Sequence, residues 1–430
     1  MTETRTIKVD LLARVEGEGS LHITMKDGVA EDVKLAIFEP PRFFEGLLRG
    51  RALGEAPDIT ARICGICPVA YQMSACHAME DALGMDVPRA IARLRRLLYC
   101  GEWIESHALH MFMLHAPDFL RFESALHMTE EHGPWVQKGL RIKKAGNAIV
   151  SALGGREIHP INVRVGGFYR WPAATDLRGL LEPLARAQGD AEESLRWMAS
   201  FDFPDLERDY ELVALQHPED YPFCEGRIVS NKGLDIDVRD YLAHFQEEHV
   251  AHSTALHARH VGHGPYLVGP LARINTSFER LGRAARDAAA AIGFEPPCHN
   301  PFKSILARGI ELIQVLDEAQ RIIENHPPVG PAFTPYEPRA GVGHGATEAP
   351  RGLLYHRYRL AEDGTIAEAT IVPPTSQNQA TIEDDLRHLA PSLAAMPLED
   401  ATQRAEQAVR NYDPCISCST HFLKLRIEGA

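Results

Sequence analysis

The chain opens on alternation. "TIKVDLLARV" and "SLHITMKDGVAEDVKLAIFE" bring apolar residues back at roughly every second position, the spacing of strands with one buried face. Asp27-Gly28 separates two such runs and predicts a tight β-hairpin. "LLYHRYRL" and "TIAEATIV" flank Asp363-Gly364 in the same way and predict a second hairpin near the C-terminal end. Between them the period changes. From Pro88, "PRAIARLRRLLYCGEWIESHALHMFMLH" carries Ile91, Leu94, Leu98, Met111 and Leu114 at roughly helical spacing. Pro88 suits a first helical turn, and Pro117 stands beyond the predicted end. "NPFKSILARGIELIQVLDEAQRIIEN", Asn300 to Asn325, is apolar around most of its circumference and predicts a helix deep in the core. "TSFERLGRAARDAAAAIG" and "EDATQRAEQAVRNY" read as further helices. "HPPVGPAFTPYEPRAGVGHG", His326 to Gly345, reads as a long loop. The pattern predicts an α+β fold, mainly α: one domain over 1–430, a bundle of long helices with small antiparallel sheets at its periphery.

Composition narrows the function. The 430 residues are 45% hydrophobic and 24% charged, which is ordinary for a folded globular protein. The net charge of −14 argues against nucleic acid, whose binding needs phosphate-neutralising cations, and against anionic lipid. The opening segment "MTETRTIKVDLLARVEGEG" lacks the apolar core of a signal peptide. No apolar run approaches the ~18 residues that a membrane span needs. A cytoplasmic location is therefore expected.

Eight cysteines change the picture further. Four form Cys-x-x-Cys pairs at opposite ends, Cys64 with Cys67 in "RICGICP" and Cys415 with Cys418 in "DPCISCSTH". Cys76, Cys100, Cys224 and Cys298 are scattered and read as small buried apolar residues. Two such turns offer four thiolates, a soft set suited to zinc, iron or nickel. Structural zinc claws are usually close in sequence, whereas nearly the whole chain separates these. Such a site closes last in folding, which favours a buried centre inserted during assembly.

"RICGICPVAYQ" and "DPCISCSTH" together resemble the paired signatures of the nickel-iron hydrogenase large subunit. "RVEGEG" at Arg14, "PRFFEGLLRGR" at Pro41, "HPINVRVGGF" at His159, "VGPLARIN" at Val268, "EAPRG" at Glu348 and "PTSQN" at Pro374 extend the likeness over nearly the whole chain, in the same order. The resemblance implies that Cys64 and Cys415 are terminal ligands of nickel. Cys67 and Cys418 then bridge nickel to an iron that carries carbon monoxide and cyanide. It implies reversible heterolytic cleavage of H2, with Cys415 as base and Glu16 receiving its proton. Arg351 is implied to hydrogen-bond a cyanide, and Thr375 to serve the other diatomic ligand. Glu45 and His421 are implied to bind magnesium. A protease is implied to remove the tail Phe422 to Ala430 after His421. Taken alone, Glu16 reads as an exposed strand carboxylate, Arg351 as a surface ion-pair residue, and Thr375 as a turn residue after Pro374.

Departures from the family pattern point to a branch. Tyr71 and Glu18 stand where many members have histidine, and Ser106 where an aspartate lies near the cluster. These resemble the cytoplasmic bidirectional, NAD(P)-linked or sulfhydrogenase-type branch, and they make Glu18 a candidate to share the proton path with Glu16. "EEHVAHSTALHARHVGH", with His249, His252, His257, His260 and His263, reads as a solvated helix face, with metal binding as the alternative. "GVGHGATEAPRG" does not fit a dinucleotide fingerprint. No further cysteine cluster is available for iron-sulfur centres. The expected partners are therefore an iron-sulfur small subunit and diaphorase-type subunits carrying flavin and NAD(P). Two alternatives are a deazaflavin-reducing hydrogenase subunit and, in a different class, a zinc-stabilised structural subunit of a redox complex.

Overall fold

A computed structural model describes residues 4–40, 42–325 and 330–420. His421 and the tail 422–430, with the magnesium and processing expectations attached to them, lie outside the described residues.

The alternating N-terminal runs form an antiparallel meander of β1 (Thr4–Val9), β2 (Gly19–Lys26) and β3 (Val29–Ile37). Leu21, Ile23 and Met25 of β2, with Val33, Leu35 and Ile37 of β3, point into the core, as the period-two pattern requires. Asp27 and Gly28 both take positive φ, which gives the hairpin the twist of its strands.

Long helices fill the centre: α1 (Pro68–Leu83), α2 (Arg89–Ala108), α3 (Ala125–Gly154), α4 (Leu181–Met198) and α5 (Ser304–Glu324). The predicted helix after Pro88 does not end before Pro117. It widens into a π-helical stretch, Leu109–His115, and Pro117 opens the next short helix, Ala116–Leu120. Such widening is frequent at functional sites. Here it turns His110 and His115 towards the chain's far end, onto the Arg410 carbonyl (2.8 Å) and Asn411 Oδ1 (3.0 Å). The predicted "TSFERLGRAARDAAAAIG" helix is shorter than its pattern, running only over Arg283–Ala291 beyond Gly282.

The histidine-rich run is not a helix face. It is a hairpin of β4 (Phe245–Glu248) and β5 (His257–His260), with His257 and His260 buried. The glycine-rich segment read as a loop ends in a strand. β6 (Gly341–Ala349) pairs with β7 (Gly352–Leu360), which pairs with β8 (Ile366–Val372) around the predicted Asp363-Gly364 turn. Gly341, Gly343 and Gly345 put a smooth edge against α1. A Cβ on Gly343 would stand 1.9 Å from the Ala78 carbonyl oxygen, and those on Gly341 and Gly345 would meet the carbonyls of Ala82 and Ser74. Two strand residues advance about 6.7 Å and four helix residues about 6 Å, so the two repeats stay nearly in step. α6 (Pro374–Ala394) and α7 (Leu398–Arg410) complete the chain.

A buried charge network ties the centre together. Arg273 Nε and Nη2 donate to Glu311 of α5 at 2.7 and 2.8 Å, and Nη1 to Glu348 of β6 at 3.0 Å. His107 and Tyr221 complete the shell around Glu311. Burial, only partly offset by Arg273, pushes Glu348 up to about 7, whereas Arg273 and His107 overcome burial and hold Glu311 down at about 2. Arg273 therefore answers chiefly the Glu311 charge. Replacing Arg273 with methionine is expected to cost about 3–5 kcal/mol, because it strands that carboxylate. Thermal scanning of the purified protein checks this, and the double change Arg273→Met with Glu311→Leu is expected to recover most of the loss.

Candidate metal centre

The first cysteine claw is the turn before α1. The backbone N–H groups of Ile66 and Cys67 both donate to Cys64 Sγ at 3.3 Å. The free N–H groups of α1 at Val69 and Ala70 are satisfied from α2 by Glu102 (2.6 and 3.1 Å), which leaves the Cys67 side chain uncommitted to capping. The second claw follows α7, where the Cys418 N–H donates to the Cys415 carbonyl at 3.2 Å.

Long-range pairing closes the two claws on each other. Glu16 and Cys415 form a parallel bridge, with the Ile416 N–H on the Glu16 carbonyl at 2.8 Å. Arg410 and Arg14 share Asp118 behind it, and the Arg42 N–H holds the Thr420 carbonyl at 2.7 Å. Cys64 Sγ and Cys415 Sγ come to 3.5 Å, and one ligand atom each from Cys64, Cys415 and Cys418 lies within 4.8 Å of the others. Cys67 Sγ faces Arg351 Nη1 at 3.9 Å. All four cysteines are buried.

The remaining candidates fall around this cluster in an ordered way. Glu16 Oε2 accepts from Cys415 Sγ and from the Ser417 N–H, each at 3.1 Å. Arg351 occupies the two-residue turn between β6 and β7 and is 3% exposed. It donates through Nε to the Asp413 carbonyl (2.7 Å) and through Nη2 to Asp413 Oδ1 (3.2 Å). Burial lowers its affinity for the proton, but Asp413 and the cysteines more than reverse this, so the guanidinium stays charged. Thr375 opens α6, and its Oγ1 accepts the Cys415 N–H at 2.9 Å, so it is not a loose turn residue. Glu45 lies apart, on the short helix Phe44–Leu48, accepting the Ile371 N–H at 2.8 Å. Tyr71 and Ser106 are buried with hydroxyls that lack a hydrogen-bond partner among the described residues, and Tyr71 feels all four sulfurs. Glu18 is exposed, and its backbone N–H rather than its carboxylate reaches towards the site, donating to Glu39 Oε1 at 2.8 Å.

Three participants escaped the sequence reading. Glu39 ties the N-terminal segment to the second claw by accepting from Glu18 N–H and from Ser417 Oγ (2.9 Å to Oε2). Gly17, at φ 87°, permits this contact, since a Cβ there would stand 2.6 Å from Glu39 Oε1. Asp413, in the left-handed region at φ 51°, aims Arg351 over Cys67. Ser417 links Glu16 with Glu39. Asp413 and Ser417 lie inside a quoted motif, but Glu39 at the end of a strand carries no sequence signal of its own.

The donor set fits a metal centre. Hydrogen bonds from Cys415, Cys418 and Cys67 hold the Cys64 thiol well below its ordinary range, while burial pushes Cys415 and Cys418 up. Four sulfurs so close in a dry interior cannot all ionise unless cations sit among them.

The family model described as nickel-dependent hydrogenase matches residues 42–134 and 266–421. The chain is 36% identical over 425 residues to the sulfhydrogenase 2 alpha subunit of Pyrococcus furiosus, which spans 97% of this chain and 100% of that one. It is 27% identical to the beta subunit of the NAD-reducing hydrogenase HoxS of Cupriavidus necator, spanning 98% and 95%. Among solved structures, an NAD+-reducing [NiFe]-hydrogenase in the H2-reduced state superposes at a TM-score of 0.88 with 26% identity, covering 97% of this chain and 99% of that one. The NiFeSe hydrogenase of Desulfomicrobium baculatum superposes at 0.80 with 22% identity, covering 97% and 100%, a likeness of fold.

Proposed function

The chain belongs to the nickel-dependent hydrogenase family as a large, catalytic subunit, and from that premise we propose that Cys64, Cys67, Cys415 and Cys418 hold a nickel-iron centre at which H2 is split heterolytically and reversibly. The observation that carries this reading is the 3.5 Å approach of Cys64 and Cys415 from opposite ends of the chain, with Glu16 at 3.1 Å from Cys415 Sγ. When bound, the centre supplies a redox-active Lewis acid that polarises dihydrogen and accepts its electrons.

The chain's own groups then handle the proton. Cys415 Sγ receives it beside the reacting atoms and passes it to Glu16 Oε2 at 3.1 Å. The Ser417 N–H fixes that oxygen towards the sulfur. Ser417 meets Glu16 through its backbone N–H and the half-buried Glu39 through its Oγ, so Glu39, in place of the exposed Glu18, is the nearer second carboxylate. Arg351, always charged, balances the thiolate charge and would hydrogen-bond a cyanide of the bound centre through Nη1, while Thr375, whose Oγ1 fixes the Cys415 backbone, would serve a second diatomic ligand. Glu45 and His421 are proposed as magnesium ligands, and removal of Phe422 to Ala430 as the last maturation step by a dedicated protease. Intact mass of the active enzyme checks the latter.

Electrons must leave through a partner. Ile158, Ile161 and Tyr169 form an exposed apolar rim, each more than half exposed. The rim adjoins His159, whose Nδ1 lies 3.2 Å from Nη1 of Arg62, two residues before Cys64. We place the iron-sulfur small subunit on this rim, with flavin- and NAD(P)-binding subunits beyond it and the assembly in the cytoplasm. No helix among the described residues is long and apolar enough to cross a membrane.

Metal analysis of the purified complex, joined to infrared spectroscopy, tests the reading. Nickel in the cysteine cluster with carbon monoxide and cyanide bands supports it. A lone zinc ion there with no such bands overturns it in favour of a structural role.

A further inference from the structure

The β4–β5 hairpin brings two histidines to a carboxylate well outside the cysteine cluster. Its connecting loop lies along the end of β3: Thr254 N–H donates to the Ile37 carbonyl at 2.8 Å, and Thr254 Oγ1 to the Glu39 carbonyl at 2.8 Å. This seats His252 and His257 against Glu383 of α6. His252 Nε2 is 2.7 Å from Glu383 Oε1, and the two imidazole rings stand nearly perpendicular, 5.7 Å apart. One ligand atom from each of the three residues lies within 4.8 Å of the others.

The decisive atom is His257 Nε2. His257 is 1% exposed, and this nitrogen is buried with no hydrogen-bond partner among the described residues. An imidazole nitrogen left unpaired in an interior is costly, so such groups normally meet a partner. The rest of the site is already oriented. Arg387 Nη2 lies 3.3 Å from Glu383 Oε2, and Leu35 N–H donates to Oε1 at 3.0 Å, so the carboxylate is held from behind. His252 keeps part of its ring at the surface, which gives an ion a way in and leaves room for a water ligand. Burial also holds His257 down at about 4, hence neutral, the state a ligand requires.

We propose that His252, His257 and Glu383 form a second metal site, of two imidazoles and one carboxylate, that takes a divalent transition cation, with zinc the best match. Tetrahedral zinc places its nitrogen and oxygen ligands about 3.4 Å apart, so small rotations of the three side chains suffice. The ion fastens the hairpin loop to β3 and α6, and through Thr254 it braces Glu39 behind the second cysteine claw. The site stands on its own donors and does not depend on how the cysteine cluster is read.

The test uses the purified holoenzyme, stripped with chelator and dialysed against micromolar zinc. Zinc is counted by mass spectrometry and its neighbours are read by zinc-edge X-ray absorption. One equivalent with nitrogen and oxygen neighbours only is expected. That equivalent is expected to be lost in His257→Gln and in the milder, surface-side His252→Ala, with nickel and iron contents unchanged. No zinc uptake, zinc with sulfur neighbours, or an equivalent retained in His252→Ala would overturn the proposal.

Discussion

Serine at position 415 is expected to leave a folded chain that carries little or no nickel and turns over H2 at least about a thousandfold more slowly. Cys415 meets Cys64 at 3.5 Å and Glu16 at 3.1 Å, so it stands both in the donor set and at the start of the proton path. A hydroxyl is nearly the same size. It is a hard, weakly acidic donor, however, and replaces neither the soft metal ligand nor the proton acceptor. Nickel content and H2-dependent dye reduction, measured on the same preparation, check the expectation. Cys298→Ser is the control. That thiol is also buried but, among the described residues, hydrogen-bonds only locally, to the Asn300 carbonyl, and its change is expected to keep metals and activity. Normal nickel and activity in Cys415→Ser would remove Cys415 from the centre.

Glutamine at position 16 is expected to separate proton movement from assembly. An amide oxygen can still accept the Ser417 N–H, so the geometry at 3.1 Å is preserved. The group can no longer take a proton, and loss of a positioned base costs about 10²–10⁴-fold. Nickel, iron and the infrared bands are expected to stay as in the parent, while H2 oxidation and exchange of D2 with solvent protons fall together. A loss below about tenfold would assign the proton exit to another group. Glu39→Gln is the informative comparison, because Glu39 meets Ser417 rather than the Cys415 sulfur and is expected to show a smaller loss in the same assays.

Much of this architecture was legible before any coordinates. Asp27-Gly28 and Asp363-Gly364 marked true hairpins, because positive φ at these turns is a local property of the residues. The helices over Arg89–Ala108 and Ser304–Glu324 followed from apolar spacing alone. The misread segments share a cause. Gly341, Gly343 and Gly345 look like loop residues until a helix backbone lies against them, and only then does the lack of a Cβ make a strand possible there. His257 and His260 break the apolar pattern of a strand, yet they are buried because partners elsewhere in the chain satisfy or surround them.

The chain's own order of residues was enough to name the soft donors and the family, since the chemistry of a thiol pair travels with the residue and the quoted motifs carry the resemblance. Which atoms meet was settled in three dimensions. Glu16 faces Cys415 because two segments from opposite ends pair in parallel, and Arg351 covers Cys67 because Asp413 takes a left-handed turn beneath it. Glu39 and the His252, His257, Glu383 cluster arise in the same way, from contacts between elements far apart in the chain. Distances of about 3 Å between such groups are products of packing, and no local pattern in the sequence encodes them.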